Sequence, residues 1–288
     1  MKINIGISDL EEIPILAKKG AKEFHCGIIT TYSQGMINYR PNTGQSNLKD
    51  FYELKEAIAL AHKHNCKIFF LINSPTYQID KYANILNEMA KIKEAGIDGF
   101  VMSSLSLIFA AKHLNANIHL SSTQPVFNSK AIEFVKRLGI SRVILPQHIN
   151  YKEIKKIIEN TEIELECFFL EANFCKYIDG NCLFHNKHLY KKEKDYSKYS
   201  SFICKLDFKT NNPEIKNNYK TLLDSSEPVL SCLYHNIKNG IGTLKLGVRS
   251  WPLSKKVEIL GQLNQLIGLM HNNEEDFIKK GLKLIDDE

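Results

Sequence analysis

Four of the seven cysteines have the chemistry and the grouping to hold a metal centre. They are Cys175, Cys182, Cys204 and Cys232, with six, 21 and 27 residues between successive members. Cysteine thiolates ligate iron–sulfur clusters and structural zinc. Zinc ribbons and fingers usually carry closely paired cysteines, so the wide and uneven spacing favours an iron–sulfur cluster that ties separate loops together. On spacing alone, four unrelated buried thiols are an equal alternative.

Polar residues that directly follow predicted strands form a second candidate site. Parallel strands of a barrel bring their carboxyl ends together at one end, where barrel enzymes build active sites. His148 has the acid–base chemistry for catalysis, and a surface histidine is the alternative interpretation. We expect a pocket lined by Asn73, Thr123, Gln124, Gln147 and His148, with Gln147 and His148 nearest the chemistry.

Arginine is scarce, with four residues against many lysines, so the position of each arginine is a stronger indication of a specific role than that of a lysine. Arg249 ends the last predicted strand, where its guanidinium could bind a carboxylate through two hydrogen bonds. Arg40 lies in the loop after the second strand and is a further candidate for substrate binding. A structural salt bridge is the alternative for both, and Arg137 and Arg142 are expected to be structural at the opposite end.

Short apolar runs alternate with helical stretches and predict a parallel sheet. Most runs are continuously apolar, as in strands that are covered on both faces. Helical spacing predicts the buried faces, and Gly20, Gly96 and Gly139 fall where helices should end. The predicted strands are 3–7, 23–26, 67–72, 99–102, 118–120, 142–145, 165–170 and 243–248. Ser129 is the predicted N-cap of one helix, and Phe134 belongs to the predicted buried face of that helix. Asn150 and Glu153 form a predicted capping box at the start of the next helix.

Eight strands with intervening helices predict a single (β/α)₈ barrel over residues 1–288. An open doubly wound sheet is the alternative, disfavoured because no glycine-rich phosphate loop follows the first strand. An irregular insert over 172–231 separates the last two strands, and helices over 255–288 complete the chain. A long irregular insert usually has a function or a ligand that orders it.

The composition and the first residues of the chain indicate where in the cell the protein is expected. The formal net charge of +6 permits an anionic partner without requiring one. The start of the chain lacks signal-peptide features, and no apolar run is long enough to span a bilayer. We therefore expect a cytoplasmic protein, in which seven cysteines would not form a disulfide framework.

Several segments, in order along the chain, resemble the peptidase U32 family. The residues 20–27 are similar to its Gly-Ala-Asp-x-hydrophobic-Tyr-x-Gly motif, and Ser122-Thr123-Gln124 to its Ser-Thr-Gln. The strand 164–168 and the Cys175, Cys182 pair resemble its Glu-Leu-Glu-Val-Phe segment and Cys-x₆-Cys pair. The residues 244–249 are similar to its Leu-Lys-Ile-Glu-Gly-Arg.

The resemblance implies a barrel with a [4Fe–4S] cluster on four cysteines. It implies oxygen-independent hydroxylation of a small or aromatic substrate, with prephenate as the hydroxyl donor in some members. Hydroxylation of RNA bases is the alternative, supported in the sequence by lysines and aromatic residues over 187–205. Two further alternatives are a peptidase and a non-catalytic subunit that pairs with a paralogous U32 chain.

The chain also departs from the family pattern. Gln147 and His148 stand where many members have Arg-Glu, Glu171 and Ala172 replace a common His-Gly, and Gly247 replaces a Glu. These departures fall around the expected pocket and bear directly on its chemistry.

Overall fold

The computed structural model describes residues 1–29, 38, 44, 46–147, 149–169 and 226–286. Its centre is a closed barrel of eight parallel strands that pair in chain order, with the last strand returning to the first. This confirms the predicted (β/α)₈ class and rules out the open sheet. The strands are β1 (Lys2–Gly6), β2 (Glu23–Cys26), β3 (Lys67–Ile72), β4 (Gly99–Met102), β5 (Ile118–Leu120), β6 (Ile140–Ile144), β7 (Glu164–Phe168) and β8 (Thr243–Leu246).

Helices connect the strands and cover the outside of the barrel. The described α-helices are α1 (Glu12–Lys18), α2 (Phe51–Lys63), α3 (Tyr82–Glu94), α4 (Leu105–Ala110), α5 (Ser129–Lys136), α6 (Tyr151–Glu159), α7 (Ser226–Lys238), α8 (Leu253–Gly268) and α9 (Glu274–Asp286). Within this part of the chain, no helix combines the length and apolar character needed to cross a bilayer.

The predicted strands agree closely with the observed ones. Four have unchanged bounds, and the other four shift by one or two residues at one or both ends. Gly20, Gly96 and Gly139 end their helices with φ values of +105°, +96° and +88°. A side chain is strained in this left-handed region, so glycine is the favoured residue at each position.

One predicted cap is confirmed and another is wrong. Asn150 accepts a hydrogen bond from Glu153 N at 3.1 Å, and the Glu153 carboxylate accepts one from Asn150 N at 3.3 Å. Ser129 is the first residue of α5 rather than its N-cap. Asn128 is the cap, because its extended backbone lets its side chain accept from Ala131 N at 2.9 Å.

The predicted buried face of α5 is also partly wrong. Val135 is buried together with Ile132, whereas Phe134 is 58% exposed. Successive helix residues turn by about 100°, so a face centred on Ile132 and Val135 leaves Phe134 outside.

Apolar side chains pack on both sides of the sheet, because successive residues of a strand face opposite ways. The larger cluster fills the space between the barrel and its helices. A smaller cluster inside the barrel contains Phe69, Leu71, Val101 and Ile144, with Phe168 against it. The barrel is therefore filled rather than open, so any ligand has to bind at its end.

Candidate functional site at the barrel mouth

The carboxyl ends of the eight strands meet at one end of the barrel, called the mouth below. Two glycines make room there for Arg249. A Cβ built on Gly6 would overlap Arg249 Cγ, and one built on Gly27 would lie 2.6 Å from Asn47 Oδ1 and 3.3 Å from Arg249 Nη1. Neither glycine has a positive φ, so the close approach of other side chains is what requires glycine here.

Arg249 is held at the mouth as predicted, but it is more enclosed than the sequence suggests. The residue is 3% exposed. Its Nη1 donates to Asn47 Oδ1 at 3.2 Å and its Nη2 to Asn38 Oδ1 at 3.3 Å. These two acceptors are neutral amides, which orient the guanidinium.

A buried ion pair fixes the backbone of Arg249. Lys256 Nζ donates to the Arg249 carbonyl oxygen at 2.8 Å and to both carboxylate oxygens of Glu12, at 2.7 and 2.8 Å. Ser8 Oγ donates to the same carbonyl at 3.0 Å. Burial raises the pKa of Glu12 and lowers that of Lys256, against the attraction within the pair. This pair could not be predicted from the sequence, because its members lie 244 positions apart.

Hydroxyl groups join the loops that follow β3, β4 and β5. Thr123 Oγ1 bonds to Ser103 Oγ and donates to the Asn73 carbonyl oxygen at 3.1 Å, and Ser103 Oγ contacts the same carbonyl at 3.1 Å. Asn73 Nδ2 donates to Ser121 Oγ at 3.4 Å. The structure thus brings Asn73 and Thr123 together, and Thr123 is buried, with 3% of its surface exposed.

The other predicted pocket residues are partly described. Gln124 and Gln147 are half-buried, after β5 and β6 respectively. His148 and Arg40 lie outside the described residues. The roles of all four remain predictions.

Below the mouth, the barrel interior carries a buried charge network. Arg142 donates to Glu23, Glu164 and Glu166, at distances of 2.5 to 3.0 Å. Lys245 Nζ donates to Glu166 Oε1 at 3.0 Å. Burial by itself lowers the pKa of Arg142, but the three carboxylates raise it overall.

This network was not predicted from the sequence, although one signal for it is present there. Charged or polar residues alternate with apolar ones within strands, as Glu164 and Glu166 do in β7 and Lys245 does in β8. Alternation in a barrel strand places these residues on the interior face.

Of the four candidate cluster ligands, only Cys232 lies in the described part of the chain. It is half-buried on α7, near the backbone N–H of Tyr151, the first residue of α6. Burial raises the pKa of this thiol. Cys175, Cys182 and Cys204 lie outside the described residues, and no group of three metal-ligating side chains occurs within them.

The donor chemistry at Cys232 fits an iron–sulfur cluster. A thiol that coordinates metal is deprotonated, and the N-terminus of a helix favours the negative charge. The segment with the other three cysteines leaves the carboxyl end of β7 and returns at α7, beside α6. Along the chain, Cys232 follows this segment within the first two turns of α7.

The remaining described cysteines are poor nucleophiles. Cys26, Cys66 and Cys167 are all buried. Burial raises the pKa of Cys26 and of Cys167 to about 12, and it also raises that of Cys66. Thiol-peptidase chemistry needs a thiolate, so these three sites do not support it.

Fold and site together define a (β/α)₈-barrel protein with an enclosed arginine at its mouth. The model of peptidase family U32 matches residues 8–283. The chain therefore belongs to peptidase family U32.

Curated relatives of this chain include proteins named for tRNA hydroxylation. The tRNA hydroxylation protein P2 of Bacillus subtilis is 24% identical over 249 residues, which cover 79% of this chain and 76% of the relative. The tRNA hydroxylation protein P1 of the same organism is 26% identical over 146 residues, covering 49% of this chain and 34% of the relative. The chain thus matches only about a third of the length of P1.

Solved structures reproduce the fold. A phospho-2-dehydro-3-deoxyheptonate aldolase of Thermotoga maritima superposes with a TM-score of 0.50 at 10% identity, covering 94% of this chain and 70% of that one. At this identity the likeness concerns the barrel alone.

Proposed function

We propose that this chain is an iron–sulfur protein that takes part in hydroxylating an RNA base without molecular oxygen. The observation that carries the proposal is family membership combined with the alignment to the tRNA hydroxylation protein P2 over most of both chains. The enclosed arginine of the mouth supports it, because RNA and carboxylate donors are both anions. The relatives' names favour RNA over the small aromatic substrate expected from the sequence.

Cys175, Cys182, Cys204 and Cys232 would hold a [4Fe–4S] cluster at the edge of the mouth. When bound, such a cluster supplies one-electron redox chemistry there. The thiol of Cys232 is positioned by α7 and by the N-terminus of α6.

The protein's own side chains bind and orient the reactants. Arg249 binds an anionic group, either an RNA phosphate or a carboxylate of prephenate, the hydroxyl donor in this proposal. Because Asn38, Asn47 and the carbonyl contacts of Ser8 and Lys256 hold Arg249 in place, little side-chain entropy is lost on binding. The apolar cluster inside the barrel closes the floor and excludes water from below.

Residues around the mouth complete the pocket in this proposal. Thr123 and Asn73 shape one wall through the hydroxyl network. Gln124, Gln147, His148 and Arg40 contribute polar contacts to the substrate, with Gln147 and His148 closest to the reacting group. A paralogous U32 chain as a partner stays a prediction, to be checked by co-purification.

The test combines metal analysis with nucleoside mass spectrometry. Wild type, Cys182→Ser and Cys66→Ser are expressed without oxygen in a strain that lacks the gene, and nucleosides from its RNA are compared. Cys66 is the matched control, because its thiol donates to the Ala21 carbonyl oxygen at 3.3 Å, away from the mouth. We expect about four irons and four sulfides per chain in wild type and Cys66→Ser, and loss of both in Cys182→Ser.

The same strains test the activity. A nucleoside with one added oxygen atom should be present with wild type and Cys66→Ser and absent with Cys182→Ser. A wild-type protein that stays metal-free after anaerobic reconstitution contradicts the cluster. An RNA pool identical in all strains contradicts RNA hydroxylation. Omitting prephenate from an anaerobic assay with purified protein tests the donor separately.

A further inference from the structure

His25 lies inside the barrel, on β2, and the proposed function gives it no role. The residue is 2% exposed. Its Nδ1 lies 2.8 Å from Asn4 Oδ1, on the neighbouring strand β1. Asn4 in turn donates from Nδ2 to Glu166 Oε1 at 3.1 Å.

Glu166 fixes the orientation of the Asn4 amide. Its Oε1 accepts from Lys245 Nζ at 3.0 Å as well as from Asn4, and its Oε2 accepts from Arg142 Nη1 at 2.8 Å. An ionised carboxylate only accepts hydrogen bonds, so Asn4 must turn its NH₂ group toward Glu166. The Asn4 carbonyl oxygen consequently faces His25.

The Asn4 oxygen then fixes the tautomer of His25. An amide oxygen only accepts, so His25 Nδ1 must carry the hydrogen in their contact. In the neutral ring, the other nitrogen, Nε2, therefore has the basic lone pair. Glu166 thus orients the Asn4 amide, and that amide in turn decides which ring nitrogen of His25 carries the hydrogen.

Nε2 lies on the side of the ring toward the mouth. A Cβ built on Gly6 would come 2.9 Å from His25 Nε2 and would overlap Arg249 Cγ. Gly6 follows Asn4 by two residues on the same face of β1, about 7 Å closer to the mouth. The basic nitrogen of His25 is therefore next to the arginine side chain.

We propose that His25 is the acid–base residue of the mouth, acting on an anionic ligand whose charge is held by Arg249. The ligand's O–H or N–H bond breaks as a bond from Nε2 to that hydrogen forms, giving an imidazolium ring and a deprotonated ligand. The reverse transfer restores both, and no electrons are exchanged with a third reactant. Asn4 and Glu166 are positioning residues that set the tautomer.

This inference rests on the proposed function only in placing the reaction at the mouth. Its first test needs no substrate. Full-length protein labelled with ¹⁵N in its histidine rings is studied by long-range ¹H–¹⁵N NMR, with His25 assigned from the His25→Gln spectrum. We expect the neutral ring to carry its hydrogen on Nδ1 and to have no hydrogen on Nε2.

A hydrogen on Nε2 in the neutral wild-type ring would overturn the proposal without any need for a variant. Asn4→Leu removes the acceptor, and it should shift the hydrogen of the ring toward Nε2. Asn264→Leu, on the outer helix α8, is the matched control and should leave the His25 signals unchanged.

Inorganic phosphate is the probe for the anion. Adding it should move the His25 Nε2 signal in wild type and leave it in place in Arg249→Met. A wild-type Nε2 signal that phosphate does not move overturns the pairing of His25 with an anion.

The last test measures the activity of two histidine variants. His25→Gln should lower the hydroxylation rate by about a hundredfold or more, the usual contribution of a general acid or base. His119→Gln, which changes another buried interior histidine, should keep the wild-type rate per folded molecule. Equal rates for both variants would overturn the role of His25. If wild type modifies no RNA, the proposed function fails, while the tautomer result stands or falls by itself.

Discussion

Arg142 and Glu23 form a two-point ion pair inside the barrel, although 119 positions separate them in the chain. Their side chains are 3% and 2% exposed, so the pair is shielded from water. Because both charges are desolvated, the contribution of the pair to stability also depends on the hydrogen bonds that Arg142 donates to Glu164 and Glu166.

Replacing Arg142 by Met should therefore destabilise the fold strongly. Three carboxylates would lose their shared cation, and unpaired buried charges cost about 3–5 kcal/mol. Urea unfolding followed by circular dichroism measures the change in unfolding free energy. Arg137→Met is the control, since Arg137 is exposed, and it should change stability by less than about 0.5 kcal/mol. Equal effects of the two substitutions would contradict the buried network.

His119 should make the fold less stable in mild acid. Its ring is 2% exposed and packs 4.4 Å from Phe69. Burial, followed by the nearby charge of Arg142, lowers the pKa of His119 well below its usual value. The unfolded chain thus binds a proton that the folded chain does not, and the unfolding free energy falls as pH drops below about 6.5.

The substitution His119→Phe isolates this effect. Between pH 7.5 and 5.5 the loss of stability should be smaller than in wild type by about 1.4 kcal/mol, because the unfolded histidine takes up its proton around pH 6.5, halfway through this range. Urea unfolding at several pH values measures it. His64→Phe changes an exposed histidine and is the control for loss of an imidazole ring. An unchanged slope in His119→Phe would show that His119 binds protons equally in the folded and the unfolded chain, which would contradict its lowered pKa.

Gly27→Ala tests the packing around Arg249. The new methyl group would collide with Asn38 and Asn47, so we expect destabilisation of about 1–3 kcal/mol, as for other overpacked sites. Gly261→Ala adds the same methyl group within α8, where no atom lies within 4 Å. It should stabilise the protein by about 0.5–1 kcal/mol, because alanine is the better helix former. Thermal unfolding distinguishes the two, and a neutral Gly27→Ala would argue against the close approach.

Lys256 should matter through the ion pair with Glu12 rather than through its charge alone. Lys256→Met leaves the Glu12 carboxylate buried without its cation, at a cost of about 3–5 kcal/mol. The double variant Glu12→Leu with Lys256→Met removes both charges and should recover most of that loss. Lys255→Met changes the exposed neighbour and should be nearly neutral. A double variant no more stable than the single one would contradict this account.

The barrel could be predicted from the sequence because it depends on local patterns. Continuous apolar runs mark parallel strands, and Asn150 with Glu153 mark the start of α6 through contacts three residues apart. The N-cap of α5 was misplaced by one residue. Asn128 and Ser129 are both good caps, and only the backbone conformation decides between them.

The sequence by itself determined the family, the strand order and the placing of Arg249 at the end of the last strand. Each follows from neighbouring residues or from a motif. Tertiary structure alone decided what surrounds Arg249 and what fills the barrel. Glu12 meets Lys256 because barrel closure brings β1 beside β8. Asn4 on β1 contacts His25 on the adjacent β2 and reaches Glu166 on β7 through the barrel interior. Such contacts span most of the chain, so their partners cannot be inferred from local spacing.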